Sequence, residues 1–270
     1  MKLGVLVHFN NDVEAEFKKV RELGFDSCQL CCWDTAFMTD ENAAIVRECC
    51  EKYNIEISTF WCGWNGPAVW NFYEGHKTLG LVPKRYRFSR THFLMLGSDF
   101  AKKIGVTNFA THVGFLPENP TSKEYTSLVK VLRFLCTYIK NNGQIFLFET
   151  GQETPVTLRR TIEDIGTGNL GINLDPANLI LYGKANPVDA LDVFGEFVRD
   201  VHAKDGLYPT DGRNLGKETP IGEGKVDFPK FVARLKEIGY DGPLTIEREI
   251  SGEKQIEDIK SAKAFLETLI

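Results

Sequence analysis

The sequence predicts a (β/α)8 barrel of the TIM type. Short apolar runs alternate with longer amphipathic segments from one end of the chain to the other. Eight strand–helix pairs can be traced, enough to close a parallel sheet on itself. The length of 270 residues also fits, since such a barrel takes about 250. No linker-like stretch divides the chain, so residues 1–270 read as one domain.

The elements follow in order. "KLGVLVH" (2–8) reads as the first strand. In 12–24, Val13, Phe17, Val20 and Leu23 recur at helical spacing, and Gly24 suits the stop. "SCQLCC" (27–32) is the second strand. Helix 39–54 follows, with Thr39 as its N-cap. The alternating run 55–61 is the third strand. The rhythm stalls over 62–86, a long loop rich in Gly and aromatic residues. A helix resumes over 88–103, and the remaining strands are 106–112, 143–149, 169–175, 197–203 and 242–249. Helical patterns occupy 121–141, 155–165, 187–196, 228–238 and 254–269. A second long loop spans 204–225. In a barrel, loops that follow strands gather at the catalytic face.

Composition narrows the function. A formal net charge of −5 argues against nucleic-acid binding by bulk electrostatics, although "VPKRYRFSR" (82–90) leaves room for a local basic patch. The seven cysteines are odd in number and clustered, unlike a secreted disulfide framework, and read as reduced structural thiols. Cys28 and Cys31 form a C-x-x-C with no second pair to complete a zinc knuckle. "GRNLGKET" (212–219) imitates a phosphate loop, but its glycines are one residue too close. No signal peptide or membrane-length apolar run is visible, and the expectation is a cytoplasmic protein without membrane partners.

The strand ends carry the chemistry. Strand 1 ends in His8, strand 3 in Trp61 and strand 4 in His112. Strands 5 to 8 end in Glu149, Asp175, His202 and Glu247. Neighbouring strands lie ~4.8 Å apart, so these four side chains can converge above the barrel. Three carboxylates there would repel one another, and a divalent cation removes the repulsion. Three oxygens and one imidazole suit one divalent ion, Mn²⁺ first, with Mg²⁺, Co²⁺ or Zn²⁺ admissible. Each residue also has a plainer role. Asp175 before Pro176 can form an Asx turn, His202 can pair with Asp205, and Glu247 with Arg248 or a lysine.

The motifs "FET" (148–150), "NLDPAN" (173–178), "HAKD" (202–205), "PIGEGKVDF" (220–228) and "GPLTIERE" (242–249) resemble the sugar isomerase/epimerase-like, or xylose isomerase-like, barrel superfamily, of the ketose 3-epimerase and sugar-phosphate isomerase type. "AKKIGVTNFATHVGF" (101–115) resembles that family's fourth strand and the helix before it. The resemblance spans essentially the whole chain. It implies metal-assisted chemistry at a carbon beside a carbonyl. The ion is held by Glu149, Asp175, His202 and Glu247, while Glu149 and Glu247 move protons on opposite faces of the substrate.

Three departures qualify that expectation. Asn178 stands where many ketose epimerases have a histidine, and it can bind a hydroxyl but not move a proton readily. Five histidines are too few for a trinuclear nuclease site. Gln29 or a neighbour replaces an often acidic position in strand 2. His112, Asn178, Lys204, His8 and Trp61 are the candidate substrate contacts, with Trp64 and Trp70 as further walls. Lys204 can instead neutralise Asp205, and the tryptophans can simply pack the loop. The expected activity is that of an isomerase or epimerase acting on a ketose, keto-sugar or inosose. A 3-keto-glycoside lyase or hydrolase and a non-catalytic sugar-binding barrel are the alternatives. The partner is a small carbohydrate, with a homo-oligomer as the family's common assembly.

Overall fold

In the computed structural model, which describes residues 1–270, eight parallel strands close into a barrel. The barrel strands are β1 (Lys2–His8), β2 (Ser27–Cys32), β3 (Glu56–Cys62), β4 (Asn108–Thr111), β5 (Ile145–Glu149), β6 (Leu170–Leu174) and β7 (Val198–Ala203), closed by β10 (Pro243–Ile246). The last strand pairs with both β7 and β1, which completes the ring. The intervening β8 (Asp205–Gly206) and β9 (Glu218–Thr219) form a separate antiparallel pair within the loop after β7.

The helices are α1 (Val13–Glu22), α2 (Asp40–Tyr53), α3 (Gly75–Thr78), α4 (Lys84–Lys103), α5 (Lys123–Asn141), α6 (Pro155–Ile165), α7 (Pro176–Leu181), α8 (Pro187–Phe194), α9 (Phe228–Glu237) and α10 (Glu253–Glu267). Their starts are written in the chain. Thr39, Ser122, Thr154, Asn186 and Asp227 each accept a backbone N–H of the turn they open. Pro155 and Pro187 occupy first-turn positions where the missing N–H costs nothing.

Strand alternation sorts the interior. Phe146, Phe148, Ile172, Val201 and Ile246 join the main apolar core between sheet and helices. Residues of opposite parity point into the barrel. There Gln29, Asn173 and His202 meet as hydrogen-bonded partners, and Glu149 approaches His202 from β5. The same parity that buries the apolar face therefore aims the strand-end groups at one axis.

The structure departs from the sequence reading in the loops. The 62–86 segment contains α3, and 204–225 contains the β8–β9 pair. The two loops join where Asn71 bridges Asn214 and the Phe72 N–H donates to the Arg213 carbonyl at 2.9 Å. They thus roof the mouth of the barrel together. Helix α7 was not expected. Asp175 and Pro176 open it directly after β6, because Asp175 Oδ1 accepts the Asn178 N–H at 2.9 Å. The last barrel strand stops at Ile246 rather than 249, and Glu247 to Glu249 lie in the loop beyond it.

In the 82–90 stretch Lys84 and Arg85 are exposed, but the other two arginines turn inward. Arg87 donates to the carbonyls of Leu81 and Val82 at 2.7 and 2.5 Å, and Arg90 is fully buried. All seven cysteines are free, and all but Cys50 are buried. Burial pushes the Cys32 thiol up to about 11, as expected of inert structural sulfur. No helix is long and apolar enough to cross a membrane.

Candidate active site

Glu149 closes β5, and His202 lies within β7. Asp175 and Glu247 are the first residues past β6 and β10. Each offers a ligand atom, and the four atoms lie within 4.8 Å of one another. His202 Nδ1 is 3.1 Å from Glu149 Oε1 and 3.2 Å from Glu247 Oε2. All four residues are buried or nearly so.

Each ligand is held by something else. His202 Nε2 donates to Gln29 Oε1 at 2.8 Å, which turns Nδ1 toward the carboxylates. Gln29 is fixed in turn by donating to Asn173 Oδ1 at 3.1 Å. Asp175 fills both roles that its sequence suggested. Its Oδ1 caps α7, while its buried Oδ2 has no hydrogen-bond partner. Glu149 Oε2 accepts the indole N–H of Trp61. These arrangements fit a divalent cation, which would take the place of the Nδ1 proton: an imidazole nitrogen, an orphaned carboxylate oxygen and two further carboxylates share one small space.

The electrostatics say the same. Burial pushes the Asp175 carboxyl up to about 7 against the pull of Lys204. Burial alone would lower the His202 imidazole, but Glu247 and Glu149 hold it well above its usual range. Burial would raise Glu149, and the neighbouring His112 and His202 reverse that effect. So many coupled charges in one buried space are costly to keep without a counter-ion.

Lys204 shares the inward face of His202. Its Nζ lies 3.1 Å from Glu247 Oε2, 2.9 Å from Glu249 Oε1 and 3.6 Å from Asp175 Oδ2. It does not neutralise Asp205. That carboxylate instead accepts the backbone N–H groups of Gly206, Gly222, Gly224 and Val226 at 2.8–3.0 Å. Gly224 is required because a Cβ there would collide with the Asp205 carboxylate. The "GEG" of the sequence is therefore a loop cradle tied to the residue beside Lys204.

A cavity of about 320 Å³ opens over the cluster. His8, Trp61, His112, Asn178 and Tyr182 line it, as do Glu149, His202 and Glu247. Lys204 sits behind this wall and meets the cavity only through its carboxylate partners. His112 Nε2 stands 3.4 Å from Glu149 Oε1, and its Nδ1 has no partner. Burial lowers the His112 imidazole, which favours its neutral form.

Sequence reasoning missed several functional neighbours. Gln29 is a support for His202, not a substrate contact. Trp33 and Cys31 line the cavity, together with Glu249, which the sequence does place at the end of the last strand. Position 31 shares the parity of Gln29, so strand alternation could have found it. Trp33 follows the end of β2, where a barrel places site residues.

The chain belongs to the xylose isomerase-like TIM barrel family, whose model matches residues 17–269. It is similar to a xylose isomerase domain protein from Planctomyces limnophilus. The two are 36% identical, with a TM-score of 0.94, over 99% of this chain and 96% of that one. An uncharacterized protein of Methanocaldococcus jannaschii is 27% identical over 98% of this chain and 88% of its own length. The 3-keto-D-glucoside 4-epimerase of E. coli shares the fold at 18% identity and a TM-score of 0.74, over 99% of both chains. Ketose 3-epimerases are also among the fold's neighbours.

Proposed function

We propose that the protein is a divalent-metal-dependent sugar isomerase or epimerase that removes a proton beside the carbonyl of a ketose, keto-sugar or inosose. The observation that carries this reading is the convergence of Glu149, Asp175, His202 and Glu247 beneath one cavity. When bound by these residues, the cation would supply Lewis-acid polarisation of the substrate oxygens.

The chain's own groups account for the proton transfers. A C–H beside a ketone is a weak acid, so a carboxylate base has to be held within reach of it. Glu149 and Glu247 approach His202 Nδ1 from two different strands, so they flank the space above it. The Trp61 indole N–H fixes Glu149 through Oε2, leaving Oε1 among the site groups. Glu247 makes its contacts through Oε2, and Oε1 has no protein partner with which to compete for a proton. Lys204 and His202 overcome burial and hold the Glu247 carboxyl well below the usual carboxylate range, so it stays ionised and free to accept a proton. His112 lines the cavity beside Glu149 and is placed to bind a substrate hydroxyl. Asn178 offers a neutral amide for another hydroxyl. Two carboxylates acting on opposite faces would invert one carbon, and one carboxylate shuttling between adjacent carbons would interconvert aldose and ketose.

The test is metal analysis of the purified protein together with solvent exchange. The protein is incubated with a panel of ketoses in D2O, with and without Mn²⁺, and carbon-bound deuterium is followed by NMR. Metal-dependent deuterium in a sugar is the expected result. Release of an aglycone from a 3-keto-glycoside would replace this reading with the lyase one. Saturable sugar binding without exchange in any substrate would leave a binding protein.

A further inference from the structure

Building on the enolising reading above, we propose that the site takes an unphosphorylated, uncharged sugar or cyclitol ketone and excludes sugar phosphates. Two independent features of the cavity point there: its charge and its aromatic wall.

Arg248 is the single lysine or arginine among the residues that line the cavity. It is already fixed, 2.8 Å from Glu218 and 2.9 Å from Asp258, with both partners largely shielded from solvent. Lys204, just behind the wall, is shared among Glu247, Glu249 and Asp175. Glu149, Asp175, Glu247 and Glu249 bring four negative charges to the same place. A divalent cation and Lys204 offset three of them. The cavity therefore keeps a negative charge with a substrate-sized space above it, and a phosphate dianion entering it would be repelled. Phosphate sites are built from free arginine forks or open helix N-termini. The one N-terminus here, that of α7, has its Asn178 N–H capped by Asp175.

One wall is aromatic. All four tryptophans of the chain cluster at this rim. Trp33 lies 5.2 Å from Trp61 and 5.1 Å from Trp64, and Trp70 lies 6.2 Å from Trp64 and 5.1 Å from His112. Trp33 and Trp70 line the cavity and remain 38% and 40% exposed, so part of each ring is accessible to a ligand. A sugar ring or cyclitol presents a face of C–H groups that such a surface covers, while its hydroxyls turn to the carboxylate side. The volume of about 320 Å³ is near the lower end of small-molecule sites, which span ~300–1,000 Å³, and suits a single ring.

The tryptophan cluster supplies the readout. Metal-loaded protein is titrated with D-fructose, with an inosose and with D-fructose 6-phosphate, and intrinsic tryptophan fluorescence is recorded. Deuterium exchange is measured on the same ligands. The expected result is a saturable change with a neutral ligand and affinity for the phosphate at least ~10-fold weaker. Trp70→Ala should weaken the neutral ligand by about tenfold. Glu249→Lys should narrow the gap between neutral and phosphorylated ligands. Equal or tighter binding of the phosphate overturns the inference, and so does no saturable response to any of the three. Exchange confined to the phosphate would retain the enolising function and remove the substrate class. Neutral binding with no exchange in any ligand would do the reverse.

Discussion

Replacing Arg90 with methionine tests how the aromatic wall is held over the site. Arg90 is the largest fully buried side chain of the protein. Its guanidinium donates to the carbonyls of Asn65 at 3.1 Å, Thr78 at 2.7 Å, Gly80 at 2.7 Å and Pro67 at 2.8 Å. It also sits over the rings of Trp64 and Tyr86, at 5.2 and 4.6 Å. One side chain thus ties together the loop that carries Trp64 and Trp70. Hydrogen bonds to a charged donor contribute ~1.5–3 kcal/mol each, but four cannot be summed at that rate. The bonds to Asn65, Thr78 and Pro67 are only part-buried, so those carbonyls regain water when the guanidinium is removed. The bond to Gly80 is buried and its carbonyl stays unsatisfied, at a cost of ~1–3 kcal/mol. Methionine restores most of the apolar volume, and a total loss of ~3 kcal/mol follows. For a chain of this size that lowers Tm by ~6–12 °C. Urea unfolding and thermal melts measure the loss, and ligand titration should show Kd rising by about tenfold because Trp70 is no longer fixed. Arg90→Lys should recover only part of both effects, since an ammonium cannot reach four diverging carbonyls. A methionine variant within ~0.5 kcal/mol of wild type, with unchanged ligand affinity, would refute the reasoning.

Other predictions concern the site and its pH dependence. Glu149→Gln and Glu247→Gln should each abolish deuterium exchange while circular dichroism still reports an intact fold; full activity in either would remove it from the proton-transfer role. Gln29→Leu should weaken Mn²⁺ binding by ~10–100-fold in calorimetric titration, because His202 Nε2 loses the acceptor that sets its tautomer. Chelation should lower Tm, and Mn²⁺ at ~100 times its Kd should restore about 2.7 kcal/mol; an unchanged melt would mean that no ion binds the native state. Glu153 is buried, its Oε1 has no partner, and burial pushes its carboxyl up to about 8. Because the folded value lies above the unfolded one, the native state holds the extra proton between them. The stability so gained is complete below pH ~4.5 and is lost as pH rises through 8. Glu153→Gln should flatten that decline in urea unfolding at pH 6 and pH 9, with a difference of up to ~3 kcal/mol between the two proteins; parallel curves would contradict it.

Much of this was legible in the sequence because the barrel ties function to position. Period-two alternation fixes parity, so a polar residue ending an apolar run must lie at the mouth of the barrel. That is why Glu149, Asp175, His202 and Glu247 stand out without coordinates. The support that Gln29 gives His202 and the burial of Arg90 did not stand out. Gln29 sits in "SCQLCC", where one amide among buried residues looks like an ordinary strand position. Its role depends on a partner 173 residues away. Arg90 belongs to a basic run that looks like a solvated surface, and only the packing of α4 under the loop turns it inward. Helix α7 was missed because "DPAN" is also a turn signature, and one carboxylate satisfies both the cap and the site.

The ligand cluster rests on a polar column that continues down the barrel. Asp200 lies two residues below His202 on the same face of β7 and is completely buried. Its Oδ2 accepts Ser58 Oγ at 2.8 Å and Thr59 Oγ1 at 2.7 Å, and its Oδ1 accepts the Val201 N–H at 2.8 Å. Burial nonetheless raises its carboxyl, with those hydroxyls opposing the rise. Above it, Asn173 orients Gln29 and Gln29 orients His202. A barrel packed only with aliphatic layers would leave the imidazole free to rotate, and either nitrogen could then face the carboxylates. The amide pair removes that freedom before any ion arrives. Its contribution is therefore preorganisation of the site rather than net stability, since buried polar groups at best break even against well-packed apolar ones. That separates two substitutions which remove similar contacts. Loss of Gln29 should be felt mainly in metal affinity. Loss of Asp200, which supports hydroxyls and backbone but no ligand directly, should be felt mainly in stability.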